Sequence, residues 1–112
     1  MPSREQLEKL LASDPQDLLL NYGLAMELAK AESKEAALAQ FQRVIDLDGN
    51  YTAAYYQKGR LLLGLGRADE SQEVLAAGVE ATLRVGDEHA TSEMQDLLDI
   101  ARSGGAGSGS VA

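Results

Sequence analysis

Apolar residues recur along this chain at spacings of three and four, the period of a helix with one buried face. Ser3 opens a first segment, with Gln6 placed to complete a capping box and Leu7, Leu10 and Leu11 on one face. Asp14-Pro15 ends it, because the residue before a proline is pushed out of the α region. Further helices are predicted from about Gln16 to Lys30, Ser33 or Lys34 to Leu47, Tyr51 to Leu63, Arg67 to Val85 and His89 to Arg102. Between them lie Glu32-Ser33, Asp48-Gly49-Asn50, Gly64-Leu65-Gly66 and Gly86-Asp87, which supply stop-and-turn chemistry. The fifth helix carries Val74, Leu75, Gly78, Val79 and Leu83; the last sets Ala90, Met94, Leu97, Leu98 and Ala101 on one stripe. Residues 1–102 are therefore expected to form one helical domain. Residues 103–112, Ser-Gly-Gly-Ala-Gly-Ser-Gly-Ser-Val-Ala, have almost nothing to bury and are expected to be a disordered Gly/Ser-rich tail.

Six helices joined by short loops invite a search for an internal period. Asp14-Pro15 and Asp48-Gly49 stand 34 residues apart. The helices that follow them share an order: a bulky residue, a small one four later, an apolar one three further on. In the first pair this is Leu19, Gly23 and Met26, with Tyr22 beside them; in the second it is Tyr55, Gly59 and Leu62. The partner helices run small, bulky, then small or modest: Ala37, Phe41 and Val44, then Ser71, Leu75 and Gly78. A glycine inside a helix costs about 1 kcal/mol relative to alanine. Its use in both pairs predicts that a partner helix presses into the space a side chain would fill, at Gly23 and at Gly59.

On these residues the chain resembles the tetratricopeptide repeat family, whose unit is a helix-turn-helix. The resemblance covers roughly residues 3 to 85, with Ser3 to Pro15 looking like the second half of a preceding unit and the final helix like a polar-faced cap. On this reading the first unit carries extra residues near Ala31-Glu32, since Gly23 and Gly59 are 36 apart. The resemblance implies an all-α fold, an α-α superhelix of antiparallel helix pairs with two full repeats, a half repeat and a capping helix. It also implies a concave surface, lined by the first helix of each pair, that holds a peptide or protein. Residues opposite the core stripe would be Leu20, Asn21, Leu24, Glu27 and Leu28 on one helix, and Ala53, Tyr56, Gln57, Arg60 and Leu63 on the next. Asn21 and Gln57 could bond a peptide backbone through donor and acceptor, Tyr56 offers a ring with a polar tip, and Arg60 a fork for an anion. Some members of the family grip chaperone carboxyl termini with Lys, Asn and Arg; Leu20 and Leu24 stand where a Lys and an Asn would fall, which argues against that partner.

Composition narrows the alternatives. The 112 residues include no cysteine, so disulfides, thiolate metal sites and a cysteine nucleophile are excluded. The net charge of −8 opposes a nucleic-acid backbone, and no apolar run approaches a membrane span. Met1-Pro2-Ser3-Arg4-Glu5 has no secretory pattern, so a cytoplasmic protein is expected. Between Ala68 and Ile100, nine acids face a single Arg84. His89 follows Asp87 and Glu88, but adjacent residues do not share a helix face, so neither a metal triad nor a general base is legible. No phosphate loop is present. The expectation is a protein-binding adaptor without cofactor or catalysis. Its alternatives are a structural homo-oligomer or an acidic regulatory subunit for a basic protein.

Overall fold

The computed structural model describes residues 2–104, and the predicted tail beyond Gly104 lies outside them. Six helices follow in order: α1 Arg4–Ser13, α2 Leu18–Lys30, α3 Lys34–Leu47, α4 Thr52–Gly64, α5 Ala68–Val85 and α6 Glu88–Arg102. The fold is all-α and built of consecutive antiparallel helix pairs. The chain divides into two compact units, residues 1–49 and 50–112.

In the first unit, α1 starts at the capping box that the sequence carries. Gln6 N–H donates to Ser3 Oγ at 3.2 Å, and Ser3 N–H donates to Gln6 Oε1 at 2.8 Å. Leu7 is buried, whereas Leu10, expected on the same face, is 49% exposed. Asp17 caps α2 by accepting from Leu20 N–H at 2.8 Å, which moves the helix start from the predicted Gln16 to Leu18. α2 and α3 pack on each other through Leu24, Ala25 and Leu28 against Ala37, Leu38, Phe41 and Val44, all buried. Tyr22 meets Phe41 edge to face, with ring centroids 5.9 Å apart and planes at 62°.

In the second unit, α4, α5 and α6 pack on one another. α4 ends in a Schellman motif: Gly66 at φ +77° turns the chain, Arg67 N–H donates to Leu62 O at 2.9 Å, and Gly66 N–H to Leu63 O at 3.0 Å. Gly59 and Gly78 bring the helices together. Leu75 lies over Gly59, and Met94 and Tyr55 close on Gly78. Ser71, fully buried, donates its hydroxyl to Gly59 O at 2.8 Å. Asp87 caps α6 through Ala90 N–H at 3.0 Å. Thr91 Oγ1 donates to buried Thr82 Oγ1 at 2.8 Å, and Gln72 Nε2 to Ala101 O at 3.2 Å, fastening α6 to α5. Met94, Leu98 and Ala101 are buried as the stripe predicts, but Leu83 of α5 is 64% exposed. Among the described residues no buried side-chain nitrogen or oxygen lacks a hydrogen-bond partner.

The burial pattern corrects the register of the first repeat. Leu19, expected on the core stripe, is 71% exposed, while Ala25 is fully buried and Asn21, Gly23, Leu24 and Leu28 are buried with it. Gly23 therefore faces inward as expected, although it is not the register partner of Gly59. Adding 34 to Asn21, Ala25 and Leu28 gives Tyr55, Gly59 and Leu62, and the same step takes Ala37, Phe41 and Val44 to Ser71, Leu75 and Gly78. Ala25, not Gly23, is thus the counterpart of Gly59, and the supposed extra residues near Ala31-Glu32 vanish.

Candidate functional site

Beside the core stripe of Tyr55, Gly59 and Leu62, α4 carries exposed Ala53 and Arg60 and half-buried Tyr56 and Gln57. Because Gly59 and Gly78 bring α4, α5 and α6 close, α6 runs beside α4 and adds a second wall. Between them opens a cleft of about 310 Å³ lined by Thr52, Ala53, Tyr56, Gln57, Ala90, Glu93 and Met94. Three residues expected on the binding surface, Ala53, Tyr56 and Gln57, are brought together there. Arg60 is exposed one turn further on and Leu63 is half-buried; neither lines the cleft.

The chemistry of this cleft is mixed. Met94, buried with its thioether against Gly78, closes the bottom of the cleft, and Tyr56 contributes a half-buried ring. Thr52 and Gln57 add donors and acceptors, and Glu93 adds a carboxylate whose side chain is 57% exposed. Glu93 Oε1 lies 3.6 Å from His89 Nε2, one turn back on α6. No three groups among His, Cys, Asp and Glu cluster to hold a metal among the described residues. Among those residues, too, no helix is long and apolar enough to cross a membrane.

The residues expected on α2 do not form a matching surface. Asn21 is 2% exposed, and its amide is consumed inside the unit. Nδ2 donates to Asp17 O at 2.7 Å and Pro15 O at 3.0 Å, and Oδ1 accepts from Gln40 Nε2 at 2.6 Å. Leu24 and Leu28 are buried at 7% and 5%, so they belong to the core. Leu20 is half-buried, and Glu27 pairs with Lys30 at 3.0 Å. In the corrected register the α2 counterparts of Ala53, Tyr56, Gln57, Arg60 and Leu63 are Leu19, Tyr22, Gly23, Met26 and Ala29. The α6 side of the cleft was missed from sequence. Its signal was Ala90, a small residue one turn before Met94, with Glu93 beside it.

Known proteins share both sequence and fold with this chain. A TPR repeat-containing protein of Pseudomonas aeruginosa is 29% identical over 94 residues, 84% of this chain and 90% of its own length. The solution structure of a tetratricopeptide repeat domain protein from Salinibacter ruber superposes with a TM-score of 0.75 at 33% identity, covering 80% of this chain and 91% of that one. The TPR2B domain of yeast Sti1, solved as a complex with pHsp70, gives a TM-score of 0.82 over 89% of this chain and 80% of that one; at 22% identity it speaks to the fold alone. Residues 28–89, more than half of the chain, match the tetratricopeptide repeat, and with the helix pairs above this places the protein in the tetratricopeptide repeat family, a fold typical of protein–protein interaction modules.

Proposed function

We propose that this protein is a peptide- or protein-binding module, without a catalytic step of its own, and that it grips its partner through the α4–α6 cleft. One observation carries the reading: Tyr56 and Gln57 of α4 and Glu93 and Met94 of α6 line a single open cleft, with apolar floor and polar rim. A half-buried ring with a polar tip beside Ala53 and Ala90 supplies contact area, and an amide with both donor and acceptor matches a peptide backbone. At about 310 Å³ the cleft is at the small end of ligand sites, which suits one or two side chains of a longer partner. One structural neighbour, the Sti1 domain, is itself an instance of this fold holding a partner.

A chaperone carboxyl-terminal tail is not the partner proposed. In the corrected register the two clamp positions carry Tyr22 and Met26, neither of them the Lys or Asn that such a clamp uses. The test is selection of binding peptides from a random library, followed by NMR mapping of the selected peptide on the full chain. Shifts centred on Tyr56, Gln57, Glu93 and Met94 support the cleft. Shifts centred elsewhere, or selection of nothing, overturn it.

A further inference from the structure

The walls of the α4–α6 cleft hold one charged side chain among the described residues, the carboxylate of Glu93. Its neighbour His89 adds positive charge only when protonated. The cations of α5 and α6 are engaged elsewhere: Arg84 Nε donates to Asn50 Oδ1 at 3.1 Å, and Arg102 lies 3.9 Å from Asp99. Arg60 of α4 stands a turn beyond Tyr56 and off the cleft wall. With nine acids against Arg84 between Ala68 and Ile100, the field over this part of the second unit is negative.

Glu93 shares the cleft with the half-buried Tyr56 ring, Ala53 and Ala90, above buried Met94. An aromatic face attracts a cation, and an apolar floor accepts the methylene stem behind it. Lysine and arginine side chains have both parts in that order. Resting on the cleft reading above, we infer that this site selects a basic residue of the bound partner. The stem lies over the Tyr56 ring, Ala53 and Ala90, and the cation reaches the Glu93 carboxylate. Gln57 remains for the flanking backbone. An acidic residue in the same place would set two carboxylates together without a counter-charge, which disfavours it.

Pools of short peptides, random except for a central Arg, Lys, Gln or Glu, are offered to the immobilised full chain at low salt. The Arg and Lys pools are retained about ten-fold better than the Glu pool, a factor of about five from the ion pair and about two from the ring. Glu93→Gln brings the pools within about two-fold of each other, since the pair is removed while the ring stays. Glu93→Lys reverses the order. Tyr56→Ala lowers retention of every pool. Glu93 is exposed, so its variants keep the wild-type helical circular dichroism. A preference for the Glu or Gln pool that Tyr56→Ala abolishes overturns the basic selection and leaves the cleft a peptide site. A basic preference unchanged in Glu93→Gln overturns the assignment to this carboxylate. Equal retention by wild type and Tyr56→Ala, or retention of no pool, overturns the cleft itself.

Discussion

Gly59 and Leu75 meet so closely between α4 and α5 that a Cβ built on the glycine would lie 2.5 Å from Leu75 Cγ and 3.1 Å from its Cδ1. Leu75 is fully buried and cannot swing away, and Ser71 holds the Gly59 carbonyl from the same helix. Two opposing effects meet in Gly59→Ala. Helix propensity favours alanine by about 1 kcal/mol, and overpacking a filled core costs about 1–3 kcal/mol. Overpacking wins, and the variant loses about 1 kcal/mol in urea unfolding. Gly64 is the control, because a Cβ there meets nothing within 4 Å. Gly64→Ala gains about 0.5 kcal/mol by restricting the unfolded chain.

Most of the second unit was legible in its residues, since Gly59, Ser71, Leu75 and Gly78 hold the close-crossing positions and each is buried. The first repeat was misaligned for a physical reason. Gly23 stands out in a helix of leucines and alanines, whereas the contact position is occupied by Ala25, a residue that draws no attention in such company. Asn21, at the position Tyr55 holds in the second repeat, looked like a surface amide. Its burial depends on carbonyls of Pro15 and Asp17 and the amide of Gln40, a set that only the folded chain assembles. The α6 wall of the cleft was illegible for a related reason. Its position beside α4 follows from packing on α5 and from no motif of its own.

Asn21 therefore tests where the first repeat keeps its polar groups. Asn21→Leu keeps the volume but removes all three of these hydrogen bonds; the exposed Pro15 carbonyl keeps Arg43 Nη2 at 3.3 Å, and half-buried Gln40 turns to water. The cost is about 1–2 kcal/mol, from the bonds lost rather than from orphaned groups. Chemical denaturation measures it. A surface amide, as the sequence alone implied, would lose less than about 0.5 kcal/mol.

Glu70 offers a pH readout confined to the second unit. Arg67 donates to both of its carboxylate oxygens, Nε to Oε2 at 2.6 Å and Nη2 to Oε1 at 2.8 Å. That hydrogen-bonded guanidinium holds the Glu70 carboxyl below its ordinary value, with the Lys58 charge adding a smaller pull. A lowered carboxyl pKa means that the pair contributes above the ordinary glutamate range and is lost as pH falls through the Glu70 value. Carboxyl NMR titration places the Glu70 midpoint below the ordinary one, and Arg67→Ala moves it up. Stability at neutral pH barely changes, since water screens this exposed pair.

The corrected register makes the sharpest demand, because the two alignments of the first repeat predict opposite ranks for two substitutions. With Ala25 at the contact position, Ala25→Leu must force three extra carbons into a fully buried place against α3. Overpacking of that kind costs about 1–3 kcal/mol. Leu19, 71% exposed, packs on little, and Leu19→Gln changes stability by less than about 0.5 kcal/mol. Were Leu19 the bulky core residue and Gly23 the contact, the loss at Leu19 would be the larger, since removing a buried leucine's apolar surface costs about 2 kcal/mol or more. Unfolding midpoints of the two single variants, measured side by side at constant slope, decide the order. A Leu19→Gln midpoint below that of Ala25→Leu would return the repeat to the alignment in which Gly23 pairs with Gly59.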